Sequence, residues 1–176
     1  FAISLRRLKY PATSADTLLI MAQLRQGKFD QALADINLLE KKLPASPLPS
    51  YLRGQAYLGK NDSIRAEAEF RQALELQALF SPAAESLADL KVRQGKPAEA
   101  AKVLTHLLER NPKSLEAMLG MAELARLANR PDESLEWLNK AVKTEPTAIS
   151  PRQRLVAYYL AAHETNKALV VANESV

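Results

Sequence analysis

The sequence predicts an all-α fold, an extended solenoid of stacked helical units, and three observations carry that prediction. The first is a fixed period. Ala32, Ala66, Ala100, Ser134 and Ala168 fall 34 residues apart, and Gly27, Asn61, Gly95 and Asn129 keep the same spacing. Pro44, Pro112 and Pro146 form a third ladder with Ala78 on its missing rung, and the register runs from Thr13 to Val176 without insertion or deletion. A period of this size marks stacked supersecondary units, none of which can bury its apolar face alone. The second observation is composition: only 5 of 176 residues are glycine, and the strongest helix formers dominate. The third is local pattern. Phe29, Ala32, Leu33, Ile36 and Leu39 follow the spacing of one helix face, and turn residues bound such runs.

Residues 1–12 read as the tail of a preceding helix, with Phe1, Leu5 and Leu8 on one face and Tyr10-Pro11 ending it. The first full unit spans 13–46. Its opening helix carries Leu18, Leu19 and Ala22 and stops near Gly27, which can adopt the left-handed conformation that closes a helix. Its second helix stops before Pro44. The second unit, 47–80, begins with Pro47 and Pro49, both tolerated in a first helical turn. In the third, 81–114, Ser81-Pro82 starts a helix, and Gly95-Lys96-Pro97 is a stop followed by a start. The fourth, 115–148, has Pro131 opening its second helix and Pro146 closing it. The fifth begins at Ile149 and is cut at Val176. Asn61 and Asn129 stand in for glycine at the turns and tolerate positive φ; His163, at the same place, does so less readily.

Small residues recur where paired helices must cross. Gly54, Ala88 and Ala122 sit on first helices, and Ala32, Ala66, Ala100 and Ala168 on second ones; Ser134 is a small-for-small change, whereas Ile20 widens the first crossing. Large residues such as Tyr57, Phe70, Leu104, Trp137 and Leu138 fill the space between pairs.

Charge points to no nucleic-acid partner. The net charge is +4, with 11 basic and 9 acidic residues in 1–88 and 13 and 11 in 89–176. A nucleic-acid binder concentrates basic residues in a stripe with stacking aromatics, and this chain does not. It has no cysteine, hence no disulfide or thiolate site, and no apolar run approaches the roughly 18 residues of a membrane span. The chain starts at Phe1 without a signal peptide and stops inside a helical pattern, so it reads as a piece of a longer protein. Its two histidines, His106 and His163, stand on different units without a second ligand at a metal-binding offset. There is no G-x-S-x-G, P-loop or G-x-G-x-x-G motif, and the carboxylate pairs Asp132-Glu133 and Glu67/Glu69 lie among basic residues on amphipathic helices. No catalytic, cofactor or metal site is expected.

The period and the placement of Gly54, Tyr57, Ala66, Phe70 and Ala73 resemble the tetratricopeptide (TPR) repeat, a helix–turn–helix unit. The resemblance implies a right-handed superhelix of antiparallel helix pairs whose first helices line a concave, partner-binding groove. Carried onto this chain, the groove positions are Thr17, Met21, Leu24 and Arg25, then Tyr51, Gln55 and Leu58. The third unit adds Glu85, Asp89, Val92 and Arg93, and the fourth Leu119, Glu123, Arg126 and Leu127. Gln153, Ala157 and Leu160 follow in the fifth. Apolar patches around Met21, Leu24, Tyr51 and Leu58 give way to alternating charge, a strip suited to an extended or helical peptide. The basic and asparagine-rich clamp of the subfamily that grips a C-terminal carboxylate is absent: Thr17, Met21, Leu52, Pro82 and Ser86 stand in its places.

Two stretches resemble something narrower. SPAAESLADLKVRQGKPAEAAKVLTHLLERNPKS and EPTAISPRQRLVAYYLAAHETNKALVVANES are similar to the long TPR lipoproteins of bacterial exosortase/PEP-CTERM systems. Phe80, Pro82, Ala83, Ala84, Leu87, Ala88 and Leu90 match one phrase of that family, Gly95-Lys96-Pro97 a second, and Pro146, Thr147, Ala148, Pro151 and Arg152 a third. The resemblance implies a non-catalytic scaffold in a lipid-anchored cell-envelope protein linked to protein sorting and exopolysaccharide production, with a protein or peptide partner. The alternative is a regulatory or substrate-docking arm of a larger enzyme such as a glycosyltransferase. Self-association is a further expectation, since Leu169 and Val170 lie at the uncapped end of the stack.

Overall fold

A computed structural model describes residues 14–173; the helix tail expected over residues 1–12 lies outside them. Ten α-helices and no strand occur among the described residues. The all-α prediction holds. The chain divides into two compact units, one through Ala83 and one from Ala84.

The first unit contains α1 (Ser14–Arg25), α2 (Phe29–Lys42), α3 (Leu48–Gly59) and α4 (Ser63–Leu76). Helix α2 packs against both α1 and α3, and α3 against α4. Turn chemistry sets the helix ends. Gly27 (φ +73°) and Asn61 (φ +59°) adopt the left-handed conformation after α1 and α3. Helix α3 opens with Pro47 at its N-cap and Pro49 in the first turn, where a missing N–H has no helical acceptor to lose. Asp62 caps α4, accepting a hydrogen bond from the Arg65 backbone N–H at 3.0 Å.

The α3–α4 crossing depends on small residues. Gly54 and Ala66 are both buried, and a Cβ built on Gly54 would lie 2.6 Å from Cδ1 of the buried Phe70 ring. Arg53 ties three helices together: its side chain is only 11% exposed, and its guanidinium reaches Glu40 on α2 at 2.7 Å and Glu69 on α4 at 3.2 Å. In α1 the buried positions are Thr17 and Ile20, whereas Leu18 and Leu19, expected to carry the apolar face, are about half exposed. Thr17 and Ile20, one turn apart, share the side that meets the neighbouring helices, and the two leucines fall beside that stripe.

The second unit contains nearly all of α5 (Ser81–Arg93), then α6 (Pro97–Arg110), α7 (Leu115–Leu127), α8 (Pro131–Thr144), α9 (Ile149–Ala161) and α10 (Thr165–Asn173). Helix α7 packs on α6 and α8, and α9 on α8 and α10. Gly95, Asn129 and His163 close α5, α7 and α9 with φ of +72°, +55° and +59°. Proline opens α6 and α8, and the Ser114 hydroxyl caps α7 by accepting from the Ala117 N–H at 3.3 Å. The buried Met118, Leu119, Ala122, Leu138, Ala141 and Leu155 form a core against which Trp137 and Tyr158 pack. Ser134 is more than a small substitute: its buried hydroxyl donates to the Ala122 carbonyl at 2.9 Å, so the α7–α8 crossing gains a satisfied hydrogen bond. The buried Lys91 ammonium reaches Glu99 at 2.9 Å and joins α5 to α6.

Candidate partner-binding groove

In the first unit the expected groove positions separate into two classes. Met21, Leu24, Gln55 and Leu58 are half-buried and Arg25 is exposed, so each offers surface to a partner. Thr17 and Tyr51 do not: they are 2% and 4% exposed. The Tyr51 ring packs on Phe70, with centroids 6.2 Å apart, and edge-on against Phe80 at 5.6 Å. In the second unit Leu119 is likewise buried, in the α7–α8–α9 core. Thr17, Tyr51 and Leu119 therefore need correction from groove to packing residues. All three stand at one place in the 34-residue register, which Glu85 and Gln153 share. Exposure at that place is not uniform: Thr17, Tyr51 and Leu119 are buried, Glu85 is half-buried and Gln153 is exposed.

The remaining positions of the second unit stay accessible. Glu85, Val92 and Glu123 are half-buried, and Asp89, Arg93, Arg126, Leu127, Gln153, Ala157 and Leu160 are exposed. Glu85 puts a carboxyl at the register place that Thr17, Tyr51 and Leu119 fill as buried residues. Burial first, and the charges of Glu116 and Asp89 second, push it up to about 7, against the pull of Arg154. Asp89 is an exposed residue, yet partial burial of its carboxyl still pushes it upward, with Arg93 and Arg154 pulling the other way. Glu123 behaves oppositely. Arg126 donates to both of its oxygens, at 2.6 and 2.8 Å, and this fork holds its carboxyl below the usual range.

Beside these charges lies a pocket of about 430 Å³. Helix α7 contributes Ala122, Glu123 and Arg126, and α8 contributes Pro131, Ser134 and Leu138. Arg154, Ala157, Tyr158, Ala161 and Ala162 form the wall from α9 and its end. The volume falls in the range of ligand sites, and the lining is mainly apolar. Only Glu123, Arg126 and Ala157 of this lining are groove positions by sequence. Sequence reasoning misses Arg154 and Tyr158; the available signal is the run of small residues Ala157, Ala161 and Ala162, which leaves space where longer side chains would fill it. Among the described residues no group of three or more His, Cys, Asp or Glu side chains could hold a metal ion. No described helix is long and apolar enough to cross a membrane.

A family model described as tetratricopeptide repeat matches residues 17–84 and again 85–149. The chain belongs to the tetratricopeptide repeat family. Three solved structures illustrate the likeness in fold. Pseudomonas aeruginosa PilF is 15% identical, with a TM-score of 0.72 over 93% of this chain and 75% of that one. A thermophilic TPR protein of Thermus thermophilus is 20% identical, with a TM-score of 0.71 over 93% and 90%. MamA from Desulfovibrio magneticus RS-1, residue 41 to its end, is 20% identical, with a TM-score of 0.61 over 93% and 95%. No curated protein sequence matches the chain. At these identities the structures speak for the TPR fold alone.

Proposed function

We propose that this TPR chain is a non-catalytic scaffold that binds a protein or peptide partner through the open faces of its first helices. The observation that carries this reading is the α7–α8–α9 pocket: an apolar cleft beside half-buried and exposed charges, formed by surface that no described residue covers. Met21, Leu24, Arg25, Gln55 and Leu58 would serve in the first unit, and Glu85, Asp89, Arg93, Glu123 and Arg126 in the second. For the setting we infer a bacterial envelope protein linked to sorting and exopolysaccharide production. That inference rests on the sequence phrases around Pro82, Gly95-Lys96-Pro97 and Pro146–Arg152.

The test is a pull-down from bacterial envelope extract with the immobilised chain, beside a variant substituted at Leu58, Arg93 and Arg126. These side chains are not fully buried, so their loss leaves the core intact. The expected result is a partner retained by the intact chain and lost by the variant. Identical partners on both would remove the groove assignment.

A further inference from the structure

The pocket and the charges beside it differ in kind, and together they specify what would fit. We propose that the second unit docks a partner segment in which an apolar side chain is directly followed by lysine or arginine. The apolar residue seats between α7, α8 and α9, and the cation lies against Glu85 and Asp89. This deepens the scaffold reading and rests on it.

The apolar half follows from the pocket floor. Ala157 and Ala161 present exposed aliphatic surface beside the buried Ala122 and Leu138, and the half-buried Tyr158 also lines the pocket. A leucine, methionine or phenylalanine side chain placed there leaves water for apolar contact on three helices.

The ionic half follows from an imbalance. Arg154 lines the pocket and is the guanidinium whose charge reaches Glu85, Asp89 and Glu123 together. Glu123 is already held by Arg126. Glu85 and Asp89 form no ion pair within 4.0 Å among the described residues, and Glu116 adds its negative charge to Glu85. Arg154 thus acts on both Glu85 and Asp89, and Arg93 on Asp89, but neither guanidinium closes a pair with them. Burial pushes both Glu85 and Asp89 toward the protonated form, the mark of a carboxylate short of compensating charge. An incoming ammonium or guanidinium supplies that charge in a partly water-excluded place, where it counts for more than on open surface. An incoming carboxylate drawn to Arg154 would enter the field of the same carboxylates, so the site selects cation over anion.

The test is an amide NMR titration of the full chain with three Gly/Ser peptides: one bearing Leu-Lys pairs, one with Leu-Glu pairs and one with Ser-Lys pairs. Amide shifts detect Kd values into the millimolar range and report where binding occurs. The Leu-Lys peptide is expected to shift amides of α5, α7 and α9 and to bind at least about tenfold tighter than either other peptide. Glu85→Gln with Asp89→Asn should weaken it about tenfold, and Ala161→Leu, which fills the pocket from an exposed position, should weaken it comparably. Native amide spectra of the free variants would exclude misfolding. Equal or tighter binding of the Leu-Glu peptide would overturn the charge assignment, and Leu-Lys binding untouched by Ala161→Leu would overturn the pocket assignment. Absence of Leu-Lys binding would overturn the proposal outright. The scaffold reading would still stand if the envelope pull-down loses its partner in the groove variant, so the two failures are separable.

Discussion

At the scale of single residues, position in the register decides chemistry. Glu85 occupies the place where Thr17, Tyr51 and Leu119 are buried, and it is raised from the ordinary 4.5 to about 7. In the unfolded chain it would titrate at its ordinary value, so between pH 4.5 and 7 the folded state holds the proton more tightly. The contribution of Glu85 to stability is therefore fully present below pH 4.5 and is lost as pH rises through 7. Glu85→Gln removes that dependence. We expect the variant to match the parent near pH ~4 and to exceed it by roughly 1–3 kcal/mol at about pH 8 in denaturant unfolding. A constant difference between the two proteins across that range would contradict the burial of this carboxyl. The sequence places Glu85 in the groove but does not reveal it as a half-buried acid that burial pushes upward. The 34-residue ladder assigns a place to each residue, whereas the depth of that place depends on neighbours from other helices. For the same reason the sequence puts Tyr51 on groove surface, and the structure packs it against Phe70 and Phe80.

At the scale of elements, the helix ends are legible in the sequence and the helix faces less so. Glycine, asparagine and proline act through the local backbone, and their effect needs no tertiary contact. Gly27, Asn61, Gly95, Asn129 and His163 all take positive φ where a helix closes. Asn129→Ala should cost about 1 kcal/mol and Asn129→Gly almost nothing, while His163→Gly should raise stability by about 0.5–1 kcal/mol. Thermal melting of the three variants checks the set; an Asn129→Ala protein as stable as the parent would contradict the left-handed turn. The crossings are equally demanding. Ala66 is fully buried on α4, and Ala66→Leu should overpack the hairpin and lower stability by roughly 1–3 kcal/mol, visible as a reduced melting temperature. The faces are harder because α1 places Leu18 and Leu19 outside its buried stripe. Period alone does not say which side of a two-leucine run the neighbour covers.

At the scale of the molecule, contacts run between near neighbours, and damage should stay near where it is made. Gly54→Ala would drive a methyl group into the Phe70 ring of the first unit. Hydrogen exchange is expected to show faster exchange in α3 and α4 with smaller changes in α7 to α9. Equal acceleration everywhere would mean that the chain unfolds as one cooperative block. The same division bears on how the protein can be observed. Its single tryptophan, Trp137, belongs to α8, packs against the core of the second unit and carries the Lys140 ammonium 4.8 Å from its ring centroid. Pro131, Ser134 and Leu138 of the same helix line the pocket. Indole emission is thus a native optical reporter of one unit only: excited selectively over the five tyrosines, it would follow melting or pocket occupancy in the second unit and stay silent about the first.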